Sequence, residues 1–493
     1  MSLAHKAARG ALWTVVSSMG GRAVGVFGTL VMTRFLDPDV IGEVSDATIL
    51  CFTANWLTIW GFGQYSVVKG RGDVTREVTW HATVAYFVLG VISLGGIALF
   101  GGHLTGFLDA PHAAVFIPGM ALAVFLKRLS GMPERILTRQ LLFRPSGLAL
   151  ALGETSYTVS ALFLAYRGYG GMSIVYANIV QSCVVLFILV RAAGISSWAA
   201  PTKLSWSRFS DMLKFGLPLG VQGVAHQASR YWDNLAISHF FGPGATGAYN
   251  MAYNLADIPA TQVGEQIALV LMPSMAELPR ERRPRVLERS TALLSLIIFP
   301  LAVGLGLVGQ PLIDLILPSN KWQEVAPLLT VLSCLSVFRP ITWVLSAYLE
   351  AESKTNRLMF LEVAKVGILI TGICVLQRFG ATSEARLHNA AAAVGISFGL
   401  TAIAGVAIVV REGVSWPRLL VGFVQPAVCC VIMGFAVYGV HRTLLSMNAH
   451  HPAQFLASEI IAGAIAYTAS ALVLCRSTAK DLLGLTKRAL KRA

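Results

Sequence analysis

Apolar runs of roughly 18 to 25 residues recur from one end of this chain to the other, and each is long enough to cross a bilayer. Hydrocarbon offers no water to satisfy backbone polar groups, so a spanning segment is either a helix or part of a closed barrel. Barrel strands are short and alternate in polarity. These runs are long and uniformly apolar, so the expected fold is all-α, a polytopic membrane protein of about fourteen transmembrane helices. Spans are expected near residues 11–35, 44–68, 79–101, 113–130, 146–166, 170–190, 212–240, 246–273, 290–313, 325–349, 358–377, 390–410, 419–440 and 455–475. Composition agrees: 13% of the residues are charged, against about 25% in a soluble domain.

The net charge of +14 invites a nucleic-acid reading, but its distribution argues for topology. With these spans, the N-terminus, alternate loops and the C-terminal tail hold 29 of the 39 Lys and Arg. The opposite loops hold six: Arg34, Arg167, Lys321, Arg378, Arg386 and Arg442. Such an excess marks the cytoplasmic side, so both termini are expected there. Topology and anionic lipid account for the basic balance, and no nucleic-acid partner is expected. The seven cysteines lie in or at the ends of apolar runs, without metal-ligand spacing, and read as small apolar residues. The first run follows basic residues as a signal peptide does. It is long and carries Arg22, however, and no small-residue cleavage site is evident, so it reads as a retained span.

Two stretches match at an offset of 205: RFLDPDVIGEVSDA from Arg34 and HFFGPGATGAYNMA from His239. Phe35, Pro38, Gly42 and Ala47 align with Phe240, Pro243, Gly247 and Ala252. Proline stops a helix and glycine permits a tight reversal, so the shared pattern is a turn between spans. The same offset carries spans 1–5 onto spans 7–11. The expected organisation is an N-lobe over 1–209, a C-lobe over 210–415, two further spans over 416–476 and a basic amphipathic cytoplasmic tail over 477–493. Six spans per lobe make the repeats parallel, around a central cavity. A duplication that serves packing alone is the other reading. Residues 196–215 mix Trp and Phe with Lys and Arg and, like the tail, read as an amphipathic helix on the inner leaflet; for the tail a solvated basic segment is the other reading.

No Walker motif, HExxH or serine nucleophile elbow is present, so no catalytic residues are assigned and the chain is not expected to be an enzyme. Asp37 and Asp39 have a metal-binding D-x-D spacing, but the repeat copy carries no acids there, so the turn is what recurs and no metal site is assigned. The informative residues are charges inside spans, where charge is costly. Arg22 lies in span 1 and Arg230 in span 7, where the offset aligns it with Gly25, one turn from Arg22. Arg339 lies in span 10 beside Pro340. Guanidinium groups favour bidentate contact with phosphate or carboxylate, so such a cavity would suit a polyanion such as a pyrophosphate. Asp233, three residues after Arg230, offers an internal partner instead, and His226 is a polar lining candidate. Glu154, Asp233, Asp257, Glu265 and Glu362 are acids within spans; Asp257, Glu265 and Glu154 are candidates for ion coupling to a proton or sodium gradient, or for pairing with the arginines.

Residues 214–278, from KFGLPLGVQG through RYWDNLAISHFFGPGATGAYNMAYNLADIP to PSMAEL, resemble helices 7 and 8 of Wzx-type flippases of the multidrug/oligosaccharidyl-lipid/polysaccharide (MOP) exporter superfamily. The match falls at Phe215, Gly216, Pro218, Asp233, Gly242, Pro243, Gly247, Tyr249, Ala252, Pro259 and Pro273. GALWTVVSS and TRFLDPDVIGEV resemble the same family's first helix and turn, and PERILTRQLLFR its basic loop after helix 4. The resemblance implies a bilobed carrier with a cationic cavity in the bacterial inner membrane. Such a carrier moves undecaprenyl-pyrophosphate-linked oligosaccharide units to the outer leaflet by alternating access, for O-antigen, capsule or exopolysaccharide assembly. It needs no cofactor beyond an H+ or Na+ gradient, and membrane lipids, a polysaccharide polymerase and a co-polymerase are the implied partners. A lipid II flippase, a multidrug cation antiporter and a membrane glycosyltransferase or polymerase are the alternatives.

Overall fold

A computed structural model describes residues 20–21, 23–69, 74–140, 142–265, 271, 275, 278–318, 321–447 and 451–490, with the backbone alone at 262, 263, 265, 340, 483 and 485–490. Among the described residues the regular structure is helical. The principal helices are α1 (Ala23–Met32), α2 (Pro38–Trp56), α3 (Phe62–Lys69), α4 (Thr75–Phe107), α5 (Ile117–Leu129), α6 (Gly131–Arg139), α7 (Phe143–Tyr166), α8 (Met172–Ala193) and α9 (Trp206–Pro259). They continue with α10 (Arg283–Leu307), α11 (Gly309–Ile316), α12 (Val325–Leu335), α13 (Arg339–Ala351), α14 (Thr355–Leu376), α15 (Ser383–Val410), α16 (Trp416–Ser446), α17 (Pro452–Leu474) and α18 (Arg476–Leu490).

Nine helical segments among the described residues are long and apolar enough to span a membrane: α4, α7, α8, α10, the run Val325–Ala351, α14, α15, α16 and α17. They coincide with nine of the fourteen expected spans. The other five fall on α1, on α2 with α3, on α5 and on the two arms of α9; of these, the spans expected at 11–35 and 246–273 lie partly outside the described residues. Local chemistry sets several boundaries. Pro38 occupies the first turn of α2, where its missing N–H costs nothing. Gly242 lies at φ 80°, ψ 176° inside α9 and breaks it into arms over 206–241 and 243–259. Only glycine adopts that backbone readily.

The chain forms two compact units, Met1–Gly247 and Ala248–Ala493. The lobe boundaries drawn from the repeat concern sequence periodicity and stay expectations. In the first unit, α2, α4, α5 and α8 share a core of Val44, Ala47, Cys51, Leu94, Met120, Val124 and Val175. Arg128 of α5 fastens this core. Its Nε donates to the Tyr86 carbonyl (2.7 Å), Nη1 to Asn55 Oδ1 (2.8 Å) and Thr58 Oγ1 (2.9 Å), and Nη2 to the Thr58 carbonyl (3.1 Å). The guanidinium thus sits at the C-terminal end of α2, where carbonyl dipoles favour a cation. Arg128 is one of the 29 cations that set the expected cytoplasmic side, but it is 5% exposed and belongs to the core.

In the second unit, Leu294, Ile298, Val344, Tyr348, Leu361, Val406 and Val409 join α10, α13, α14 and α15. Phe299, Cys429, Met433, Tyr467 and Cys475 fasten the last two spans to α10. All seven cysteines are free, and Cys183 is exposed where a buried apolar role was expected.

The expected amphipathic helix over 196–215 does not form as one element. A short turn ends at Trp198, residues 199–205 around Pro201 are irregular, and α9 begins at Trp206. The segment is anchored to α4 instead. The Ser205 N–H donates to His81 Nε2 (2.8 Å), and Arg208 pairs with Glu77 (3.0 Å). The tail does form a helix, α18, and Asp481 pairs with Arg289 of α10 (2.9 Å).

Candidate functional site

The first arm of α9 and the start of the second run antiparallel to α2. Trp60 meets Gly216 and Gly220 at one end. Tyr231 packs on Trp56 with ring centroids 5.4 Å apart, and Trp232 Nε1 donates to Thr53 Oγ1 (3.1 Å). Ser238 then meets Asp46, and Gly247 meets Pro38 at the other end. This seam presents His226, Arg230 and Asp233 at i, i+4 and i+7 on one face of α9. Their burial rises along the face: His226 is exposed, Arg230 half-buried and Asp233 fully buried. The Asp233 carboxylate accepts a hydrogen bond from Asn234 Nδ2 (3.2 Å). The arm therefore displays a cation at an intermediate depth above a buried acid.

Arg22 lies outside the described residues. Its neighbours Gly21 and Gly25 do not, and both face Glu154 of α7 closely enough that a methyl group at either position would touch that side chain. Glu154 also accepts a hydrogen bond from Gln181 Nε2 of α8 (2.9 Å). An acid inside a span is thus set against Gly21 and Gly25.

The second unit holds a buried charge cluster. Arg339, 6% exposed, pairs with Asp257 at the end of α9. Its guanidinium lies between the rings of Tyr253 and Phe398, 4.9 Å from each centroid. Lys365 of α14 also lies over the Phe398 ring (5.0 Å) and pairs with Glu362 (2.7 Å) one turn earlier. Two bases share one aromatic ring and each is paired with an acid, so the charges balance. Asp257 pairs with an arginine in this structure, and its role in ion coupling is a proposal. Arg339 is accordingly engaged by Asp257 here. Glu265 ends a π-helical turn, Ala260–Glu265; its side chain lies outside the described residues.

Sequence reasoning passed over three of the groups just described. Lys365 lies inside the expected span 358–377 and was given no role. Arg128 was placed in a loop. Asp46 was missed among the in-span acids, although its position two residues into an expected span is visible in the sequence.

The family described as polysaccharide biosynthesis protein matches residues 31–327, more than half of the chain. The chain belongs to that family. A relative from Rhizobium meliloti (strain 1021), named succinoglycan biosynthesis transport protein ExoT, is 25% identical over 98% of this chain and 96% of its own length. The lipopolysaccharide biosynthesis protein WzxC of Escherichia coli (strain K12) is 22% identical over 76% of each chain. Among solved structures, the lipid II flippase MurJ in an inward closed conformation superposes with a TM-score of 0.77 at 14% identity, covering 94% of this chain and 99% of that one. An inward-facing multidrug resistance MATE family transporter of the MOP superfamily gives 0.66 at 14% identity, over 83% and 98%. The family member described here therefore has the fold of these two transporters, and with nine apolar helices among the described residues long enough to cross a membrane it is a multi-pass membrane protein.

Proposed function

We propose that this protein is a flippase that moves undecaprenyl-pyrophosphate-linked oligosaccharide units from the cytoplasmic to the outer leaflet of the bacterial inner membrane by alternating access, with both termini cytoplasmic. The observation that carries this reading is a polysaccharide-biosynthesis chain, similar over almost its whole length to a succinoglycan transport protein, built on the fold of a lipid II flippase. The chemistry is consistent with it. A lipid tail stays in hydrocarbon while the pyrophosphate needs cations in place of water, and Arg230 of α9 and, in the sequence, Arg22 are cations within apolar runs. Asp233, His226 and, when released from Asp257, Arg339 complete the candidate contacts to phosphate and sugar. An H+ or Na+ gradient is the proposed energy source, with Glu154, Asp257 and Glu265 as coupling candidates. A polysaccharide polymerase and co-polymerase would take up the product.

The MATE likeness supports a second reading, a multidrug cation antiporter. The cationic seam residues favour an anionic substrate over it. Deleting the gene tests the choice. The flippase reading expects surface polysaccharide to fall and lipid-linked oligosaccharide to accumulate on the cytoplasmic leaflet, with drug resistance unchanged. Normal polysaccharide in the deletion strain would sink it.

A further inference from the structure

Asp46 of α2 is 0% exposed. Its Oδ2 lies 2.5 Å from the Ser238 hydroxyl of α9, and its Oδ1 has no hydrogen-bond partner. The same hydroxyl lies 3.1 Å from the carbonyl oxygen of Leu108, just past α4. A serine hydroxyl has one proton to give. If Asp46 is ionised, that proton goes to Oδ2. The Leu108 carbonyl then loses its donor, and the negative charge on Oδ1 has nothing to meet it. If Asp46 is protonated, its O–H donates to Ser238, and Ser238 donates to Leu108. The chain of donors and acceptors is then complete, and only a neutral carbonyl oxygen is left over. An isolated buried carboxylate is far more costly than that.

The charged surroundings do not reverse this preference. On α2 the charged neighbour is Glu43, a second acid, which itself faces Asp39 and His112 of the turn Pro111–Val115. On α9, His239 directs Nδ1–H to the Phe107 carbonyl (2.7 Å) and stacks on the Phe107 ring. The core that α5 and α8 pack against this part of α2 is apolar.

The position is mechanically informative as well. Asp46 is one turn after Gly42, and Ser238 is one turn before the break at Gly242. Gly42 and Gly247 let the two helices touch backbone to backbone at this end of the seam. A rotation of the first arm of α9 about Gly242 would withdraw Ser238 and let water reach the carboxyl.

We propose that Asp46 is a proton-binding site that latches the α2–α9 seam. With the seam closed, the carboxyl is neutral and bonded to Ser238; when the seam opens, the acid gives its proton to water and becomes a carboxylate. Rebinding of a proton must precede closure. The charge asymmetry assigns this end of α2 to the outside, so the proton would exchange with the external medium. The inference rests on the transporter reading and adds to it a coupling residue.

The test uses the full-length protein in lipid vesicles, followed by infrared difference spectroscopy during a pH titration. The wild type should show a carboxylic-acid carbonyl band at neutral pH that Asp46→Asn lacks and that shifts to higher frequency in Ser238→Ala. Spin labels at the exposed repeat mates Phe35 and Phe240 should report a broader, longer distance distribution as pH rises, and Asp46→Asn should hold the short distance at every pH. A band common to wild type and Asp46→Asn, or an Asp46→Asn protein that opens with pH as the wild type does, would overturn the proposal. These readouts need no substrate. If they fail in a protein that still restores polysaccharide to the deletion strain, the latch is wrong and the flippase reading survives. If the deletion strain makes normal polysaccharide, the flippase reading is wrong and the latch is judged by the spectra alone.

Discussion

Gly42 of α2 lies so close to the carbonyl oxygen of Pro243 that no side chain fits between them, and its repeat mate Gly247 stands in the same relation to the carbonyl of Pro38. The two contacts exchange under the offset of 205, since Pro38 and Pro243 are mates too. Two copies of one turn therefore pack on each other as a self-complementary pair, the arrangement a local two-fold axis produces. The glycines recur because each backbone needs the other's missing Cβ.

A methyl group at either position should force the seam apart. Gly42→Ala and Gly247→Ala are each expected to cost about 1–3 kcal/mol, the usual range for overpacking. Gly95→Ala, at a helix position with open space, is the control and should be neutral. Thermal unfolding of the purified variants in detergent measures this. Equal melting temperatures for Gly42→Ala and Gly95→Ala would refute the close contact.

Breaking one half of the Asp257–Arg339 pair should be worse than removing both. Asp257→Ala strands a buried guanidinium and is expected to cost about 3–5 kcal/mol. Asp257→Ala combined with Arg339→Met should recover most of that loss, because methionine fills the slot between Tyr253 and Phe398 without a charge. A double-mutant cycle on thermal stability gives the coupling. Additive losses would show that the two residues act independently.

Arg128 tests whether a basic residue beside a loop is a topology signal or a structural part. Lysine has no planar fork and cannot reach Tyr86, Asn55 and Thr58 together. Arg128→Lys should therefore destabilise the protein by about 1.5–3 kcal/mol, the scale of hydrogen bonds to a charged group. Membrane orientation should be unchanged, since the charge is kept. Wild-type stability in Arg128→Lys would place the guanidinium elsewhere.

For Arg22 and Arg230 the charge should matter more than its shape if they meet a pyrophosphate. Lysine at either site should keep part of the transport and alanine should abolish most of it. The assay is surface polysaccharide in a strain lacking the native gene, with membrane abundance and stability recorded for each variant. Wild-type polysaccharide from an abundant, stable Arg22→Ala, Arg230→Ala double mutant would end the phosphate-binding reading.

Topology has a direct check at exposed positions. Cysteines at Asp39 should react with an impermeant reagent added to intact cells, and cysteines at Arg282 and Ser477 should not. Arg282 is a better site than the adjacent Arg283, whose guanidinium pairs with Glu352 (2.7 Å). Labelling at Arg282 in intact cells would invert the assignment of sides.

The amino-acid sequence by itself determined the helical class, most of the span positions, the repeated turn and the family. Each depends on local or periodic properties, namely hydropathy over some twenty residues, proline and glycine at a turn, and matches at a constant offset. Only the tertiary structure decided which charges meet. Asp257 and Arg339 are far apart in sequence, as are Asp46 and Ser238, and nothing at either position names its partner. Arg128 could not be told from a loop cation, because a basic residue at the end of an apolar run looks the same whether it faces water or folds back onto carbonyls. Hydropathy states what a segment must hide; the energy of a buried charge depends on the oxygen or ring set against it, and packing between distant helices supplies that.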